Sequence, residues 1–188
     1  VWEYYGLSAE QAALGGMNAQ MFNSFLDGTK SGIEMAAVAN ATGLGVPNDG
    51  LMFPPCAKTA LHDLLKPKSD GGLLESNGMV EVISSLDTDG KDLADDLRWG
   101  VYAVFDAPND YVARCFSEYG LQTDNTGRYA SMYKPYHLIG LELGISVARV
   151  ASRKEPTGQP VSWQVDVVAT AKRDLNVGEV LDADGGYT

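Results

Sequence analysis

The chain is poor in cysteine, in histidine and in positive charge, and each shortage closes off a class of function. Cys56 and Cys115 are its two cysteines, and no CxxC occurs. The sequence therefore carries neither the disulfide framework of a small secreted scaffold nor a thiolate metal knot. Two reduced thiols in a cytoplasmic protein are the expectation. Lys and Arg number 14 against 25 Asp and Glu, a net charge of −11. Such a field repels phosphate backbones and disfavours nucleic acid as a partner, although a local group of Lys and Arg still suits a phosphorylated small molecule. No apolar run approaches the roughly 18 residues a membrane span needs, so no membrane partner is expected. Val1-Trp2-Glu3-Tyr4-Tyr5 lacks the basic and apolar regions of a signal peptide. A first residue other than Met points to an internal start.

Nucleotide-cradling motifs are missing as well. No GxGxxG follows a strand pattern and no P-loop is present. Gly43-Leu44-Gly45 ends a helical pattern where a dinucleotide turn opens one. HExxH, GxSxG and EF-hand loops are also absent. A nicotinamide cofactor thus has no cofactor-binding residues in this chain and requires a further domain.

What is present is a globular composition, 45% hydrophobic and 21% charged over 188 residues, enough for one domain with a core. Ser8-Ala9-Glu10-Gln11 reads as a capping box, predicting a helix over Ala9–Leu26 that Asp27-Gly28 breaks or kinks. A second helix carries Ile33, Ala36, Ala37 and Asn40, with Gly43 as a left-handed stop. Asn18 and Asn40 read either as helix-packing polar groups or as site groups. Residues 43–79 form a long Gly-, Pro- and Asp-rich connection with a short helix over Thr59–Leu65. Met79–Ile83, Trp99–Phe105 and Val161–Ala171 read as strands, the last with Val161, Trp163, Val165 and Val167 alternating with polar residues. Asp110–Tyr119 fits helix or strand. Tyr136–Ser152 reads as a helix apolar on nearly every side, hence buried in the domain or in an oligomer interface. This order is not a regular βαβ alternation. It predicts an α+β fold, a mainly antiparallel sheet covered by helices with one central buried helix.

Four groups of residues can carry chemistry. Asp27 and Lys30 flank Gly28 at a helix junction, where a lysine opposes the helix dipole and so does not serve the helix. Such a lysine holds a substrate oxygen and relays a proton; the competing reading is a solvated ion pair. Gly127–His137 gathers Arg128, Tyr133, Lys134 and His137, donors for phosphate or carboxylate plus an acid/base candidate. Its alternative is a helix-capping histidine with core tyrosines. Asp87, Asp89, Asp92, Asp95 and Asp96 can hold a divalent metal with substrate oxygens, but a solvated acidic turn is the favoured reading. Cys56, in Phe53-Pro54-Pro55-Cys56, has no base beside it and reads as a loop thiol.

Three segments carry a family resemblance: Asp27-Gly28-Thr29-Lys30-Ser31-Gly32-Ile33-Glu34-Met35-Ala36, Asp96-Leu97-Arg98-Trp99-Gly100-Val101-Tyr102 and Tyr133-Lys134-Pro135-Tyr136-His137-Leu138-Ile139-Gly140-Leu141-Glu142. They resemble homoserine-dehydrogenase-like, SAF-domain oxidoreductases, a group that includes deoxyxylulose-phosphate reductoisomerase-like enzymes. The resemblance implies a catalytic and dimerisation domain over residues 1–170 and the start of a SAF-type domain over residues 171–188. It also implies an N-terminal Rossmann domain, absent from this chain, that binds NADP or NAD. Asp27 and Lys30 resemble the acidic residue and lysine that, in homoserine dehydrogenases, bind substrate and relay the proton during hydride transfer. The implied substrate is a small hydroxylated carbon chain, phosphorylated or not, with a homodimer as the assembly. A non-catalytic ligand-binding or dimerisation module is the alternative.

Overall fold

The computed structural model describes residues 1–181. Ser8 starts α1 (Ala9–Leu14) with the reciprocal box its sequence predicts: its Oγ accepts from the Gln11 amide at 3.1 Å and Gln11 Oε1 accepts from the Ser8 amide at 2.8 Å. The expected long first helix is two short ones. Gly16 takes φ 61°, a left-handed conformation that ends a helical turn. Asn18 then caps α2 (Ala19–Ser24) by accepting from the amides of Gln20 and Met21, so Asn18 is a helix cap and not a site group. Gly28, at φ 84°, turns the chain into α3 (Thr29–Thr42), which Gly43 closes at φ 76° with its amide on the Ala39 carbonyl.

The connection after α3 contains α4 (Leu61–Leu64) and little regular pairing. The expected strand at Met79–Ile83 forms no ladder. Parallel bridges Gly45↔Met79 and Pro55↔Ser84 tack it to the preceding loop instead. The sheet has three strands: β1 (Val101–Asp106), β2 (Gln122–Thr123) and β3 (Tyr129–Lys134), in the order β1-β3-β2. Both pairings are antiparallel, with Val101 opposite Lys134, Asp106 opposite Tyr129 and Gln122 opposite Ser131. Asp110–Tyr119 resolves as helix α5 (Asp110–Glu118), capped by Asn109 through the Val112 amide. Helix α4 packs on the sheet. Cys56, Leu61, Leu65 and Leu74 are buried there against Tyr102 and Val104 of β1. Each aliphatic side chain so buried contributes about 1.5–3 kcal/mol. The fold is α+β.

Two further expectations are corrected. The predicted buried helix is shorter, α6 (Leu143–Arg153), and none of its residues is buried. Gly140 adopts φ 80° ahead of it, so Tyr136–Glu142 is a turn-rich approach. Leu141, Leu143, Ile145 and Val147 are each more than half exposed. The segment Val161–Ala171 alternates as predicted but joins no ladder, because no strand lies alongside it. Asn40, on α3, holds it. The Asn40 carbonyl accepts from the Val161 and Ser162 amides, its Oδ1 accepts from Gln164 and Val165, and its Nδ2 donates to the Val165 carbonyl at 2.8 Å. Asn40 is therefore a clasp for the C-terminal arm. Among the described residues, no helix is long and apolar enough to cross a membrane.

Candidate functional site

The junction of α2 and α3 brings Asp27 and Lys30 to one turn, but not to each other. Asp27 Oδ1 accepts from the Thr29 amide at 3.0 Å and from Thr29 Oγ1 at 2.7 Å, which fixes the first turn of α3. Its Oδ2 accepts from Lys172 Nζ at 2.6 Å, a residue that the C-terminal arm returns to the junction. Burial works against ionisation of Asp27. The Lys172 and Thr29 donors outweigh it and hold the carboxyl below the usual range. Lys30 pairs with Glu34 one helical turn on. Its Nζ also lies 5.5 Å from the Phe25 ring centroid, within cation–π range. An amine so placed, 28% exposed, can donate to a substrate oxygen if Glu34 yields its share of the bond.

The opposite wall is Phe53. Its backbone sits at φ 50°, a conformation costing a non-glycine residue of order 1–2 kcal/mol. The ring lies so near Gly28 that a Cβ there would come within 3.0 Å of Phe53 Cζ. Glycine is thus required at 28 for both conformation and space.

The four basic and aromatic candidates of residues 128–137 fall at two ends of β3. Arg128 Nε donates to Asp106 Oδ1 at 2.9 Å. At the far end, Lys134 pairs with Glu142, whose Oε2 also accepts from the Leu138 amide at 2.9 Å. His137 Nδ1 lies 4.0 Å from the same carboxylate. Six strand rises, roughly 20 Å, separate Arg128 from Lys134, so one small molecule reaches one end or the other. Tyr133 is 40% exposed on the Lys134 side. His137 precedes α6 rather than standing in its first turn.

The acidic residues 87–96 are engaged locally. Asp87 caps a turn through the Asp89 and Lys91 amides, Asp92 and Asp96 pair with Arg98, and Asp95 pairs with Lys58. Among the described residues, no three His, Cys, Asp or Glu side chains converge as a metal-binding group.

A second polar cluster is illegible in the sequence. Lys66 Nζ meets Asp124 Oδ2 at 2.9 Å, and both side chains are buried. Tyr129 hydroxyl bonds Asp70, and His62 Nδ1 stands 2.9 Å from Ser131 Oγ, also buried. Asp70, Asp124, Arg128 and Tyr129 line an open cleft of about 570 Å3 beside α5. Every one of those side chains already has a protein partner, so the cleft offers a ligand few free donors.

Residues 3–143 match the family described as oxidoreductase DRL, catalytic domain. The chain belongs to that family. No curated protein matches it. The oxidoreductase match spans both candidate regions, from the aromatic N-terminal turn to the first residue of α6. Within the DRL catalytic domain, the α2–α3 junction differs from the cleft: it holds a half-shielded lysine whose carboxylate partner is itself partly exposed.

Proposed function

We propose that this chain is the substrate-binding and catalytic domain of an NAD(P)-dependent oxidoreductase acting on a small hydroxylated carbon chain, phosphorylated or not. The carrying observation is Lys30, placed in the first turn of α3 against Phe25 and paired with Glu34, in a chain of the DRL catalytic family. The residues here do not fit a dinucleotide, because Gly43-Leu44-Gly45 closes a helix instead of leading a strand into one. They fit the substrate side of the reaction, with a neighbouring domain holding NADP or NAD. That cofactor, when bound, supplies or takes the hydride.

In the reducing direction Lys30 donates a hydrogen bond to the carbonyl oxygen and drains electron density from the carbon. As the carbon accepts the hydride, Lys30 gives its proton to the forming alkoxide and Glu34 takes the hydrogen bond of the neutral amine. Asp27 orders the turn through Thr29 and binds a substrate hydroxyl with the face that Lys172 leaves open. Tyr133, Lys134 and His137 hold an anionic end, with Lys134 exchanging Glu142 for the ligand; Arg128, paired with Asp106 at the other end of β3, is out of reach of the same small molecule. A SAF-type domain beginning near residue 171 completes the reading, with residues 182–188 outside those described.

The test is turnover of the full-length protein with NADPH or NADH across sugar phosphates and oxo acids. Lys30→Ala is expected to lower kcat by about 10²–10⁴-fold, the usual range for a removed acid/base group. Wild-type turnover in that variant overturns the role of Lys30. A companion proposal is a homodimer through α6 and residues 161–168. It is supported by the apolar side chains exposed there, Leu143, Val147 and Val150 on α6 and Val161, Trp163 and Val168 on the arm.

A further inference from the structure

Glu81 is a buried carboxylate, 6% exposed, and among the described residues it makes no ion pair. Its oxygens face backbone instead. Oε1 accepts from the Met52 amide at 3.0 Å, the Phe53 amide at 3.3 Å and the Val82 amide at 2.9 Å, and Oε2 from Met52 at 3.1 Å. Placing a carboxylate out of water with amides alone as partners is an expensive arrangement, and a position serving only the core is filled more cheaply by an apolar side chain. The two residues it gathers include Phe53, one of three non-glycine residues with positive φ among the described residues. Such strain persists where surrounding bonds hold it and clusters at functional sites.

The bonds run in one direction through the molecule. Tyr102 on β1 donates its hydroxyl to the Glu81 carbonyl at 2.6 Å, tying Glu81 to the sheet. The bridges Gly45↔Met79 and Pro55↔Ser84 fasten the loop on either side of Met52-Phe53. Between those bridges the Glu81 carboxylate holds the loop tip. The Phe53 ring then bears on Gly28, the residue that turns the chain into α3. Gly28 also opens the helix, its carbonyl accepting from the Gly32 amide at 2.8 Å. We propose that Glu81 is a positioning residue: it locks Phe53 against Gly28 and so fixes the turn presenting Asp27 and Lys30 to substrate. The inference rests on the reading of that turn as the substrate site.

The test uses full-length protein and a probe independent of catalysis. Lysines are acetylated with N-hydroxysuccinimidyl acetate and labelling at Lys30 is followed by peptide mass spectrometry. Buried Lys66 serves as the control for global loosening. Glu81→Gln, which replaces one accepting oxygen with a donating amide, is expected to raise Lys30 labelling at least threefold and leave Lys66 unchanged. Phe53→Ala, which removes the ring and keeps the clamp, is expected to give a similar rise, and the double variant no more than either. Unchanged Lys30 labelling, additive rises, or a matching rise at Lys66 overturn the proposal and leave Glu81 a structural residue. A Michaelis constant for the oxidoreductase substrate rises in the same two variants. Absence of any nicotinamide-linked turnover in the wild type counts against the functional reading and leaves the labelling result to decide the positioning one.

Discussion

Lys66 and Asp124 form a buried ion pair at 2.9 Å, with the Lys66 ammonium also 5.5 Å from the Tyr129 ring centroid. Three further donors converge on the same carboxylate beside Lys66: the Thr126 hydroxyl and the amides of Arg128 and Tyr129. This carboxylate ties the β2–β3 turn to the loop after α4. Removing one partner strands the other without solvent. Lys66→Met is expected to cost about 3–5 kcal/mol in urea unfolding, whereas Lys66→Met with Asp124→Leu costs less than either single change. A double variant less stable than both singles contradicts this account.

The same carboxyl sets a pH limit. Burial works to raise the Asp124 pKa, but Lys66, Thr126 and the Tyr129 amide outweigh it and bring it down to about 2. A group whose folded pKa lies below its unfolded value stabilises the fold above the unfolded pKa, and loses that contribution as pH falls. Stability should therefore decline between pH about 4 and pH about 2. In Asp124→Asn that part of the decline is absent, which melting temperatures across the range would show.

Cys56 should be inert. Burial raises its thiol, with the negative charge of Asp63 adding to the effect, to about 11. The side chain is 4% exposed and its Sγ–H points to the Ala57 carbonyl at 3.3 Å. The thiolate is the reactive form, so native protein at pH 8 should take iodoacetamide at Cys115, which is partly exposed, well before Cys56. Peptide mass spectrometry finding Cys56 labelled first would refute it.

These buried groups show where sequence reading stops. Local signals were legible: the Ser8–Gln11 box, the Gly43 stop and the short helix near Leu61 all depend on neighbours within a few residues. The antiparallel sheet followed from strand formers at Trp99–Phe105, and Lys30 could be placed in a first helical turn from the break at Gly28. The partners were not legible. Lys66 meets Asp124 58 positions away and His62 meets Ser131 69 positions away, separations that no spacing pattern marks. Gly127–His137 reads by its Arg, Tyr, Lys and His chemistry, which hides the strand character of Tyr129–Lys134. The alternation of Val161–Val167 predicts a strand, but a strand needs a neighbour; the segment joins no ladder, and Asn40 supplies its hydrogen bonds instead.

That clasp can be broken selectively. Asn40→Ala keeps the backbone carbonyl for Val161 and Ser162 and removes the three side-chain bonds to Gln164 and Val165. Each contributes about 0.5–1.5 kcal/mol, enough to free the arm but not to unfold α3. Limited trypsin digestion should then cut faster at Lys172, which the wild-type arm holds against Asp27. Equal cleavage rates in both proteins rule out the clasp as the arm's main anchor.

The last prediction concerns α6. Leu143, Val147 and Val150 fall on one face of the helix, at spacings of four and three residues, and all three are more than half exposed. A contiguous apolar surface of this kind marks an interaction face, and a second copy of the chain is the occupant proposed here. Val147 lies mid-helix on that face, where the helix itself gains nothing from an apolar side chain, so Val147→Glu leaves the monomer fold intact. It places a charge at the centre of the dimer interface, where an unpaired charge costs several kcal/mol. The dissociation constant should rise at least a hundredfold, seen by light scattering as a halved mass at micromolar concentration, with the melting temperature of the sheet domain little changed. A wild-type protein monomeric at every concentration contradicts the interface. A variant that remains dimeric moves it to the extended segment at Trp163, which is 88% exposed and is the next residue to change.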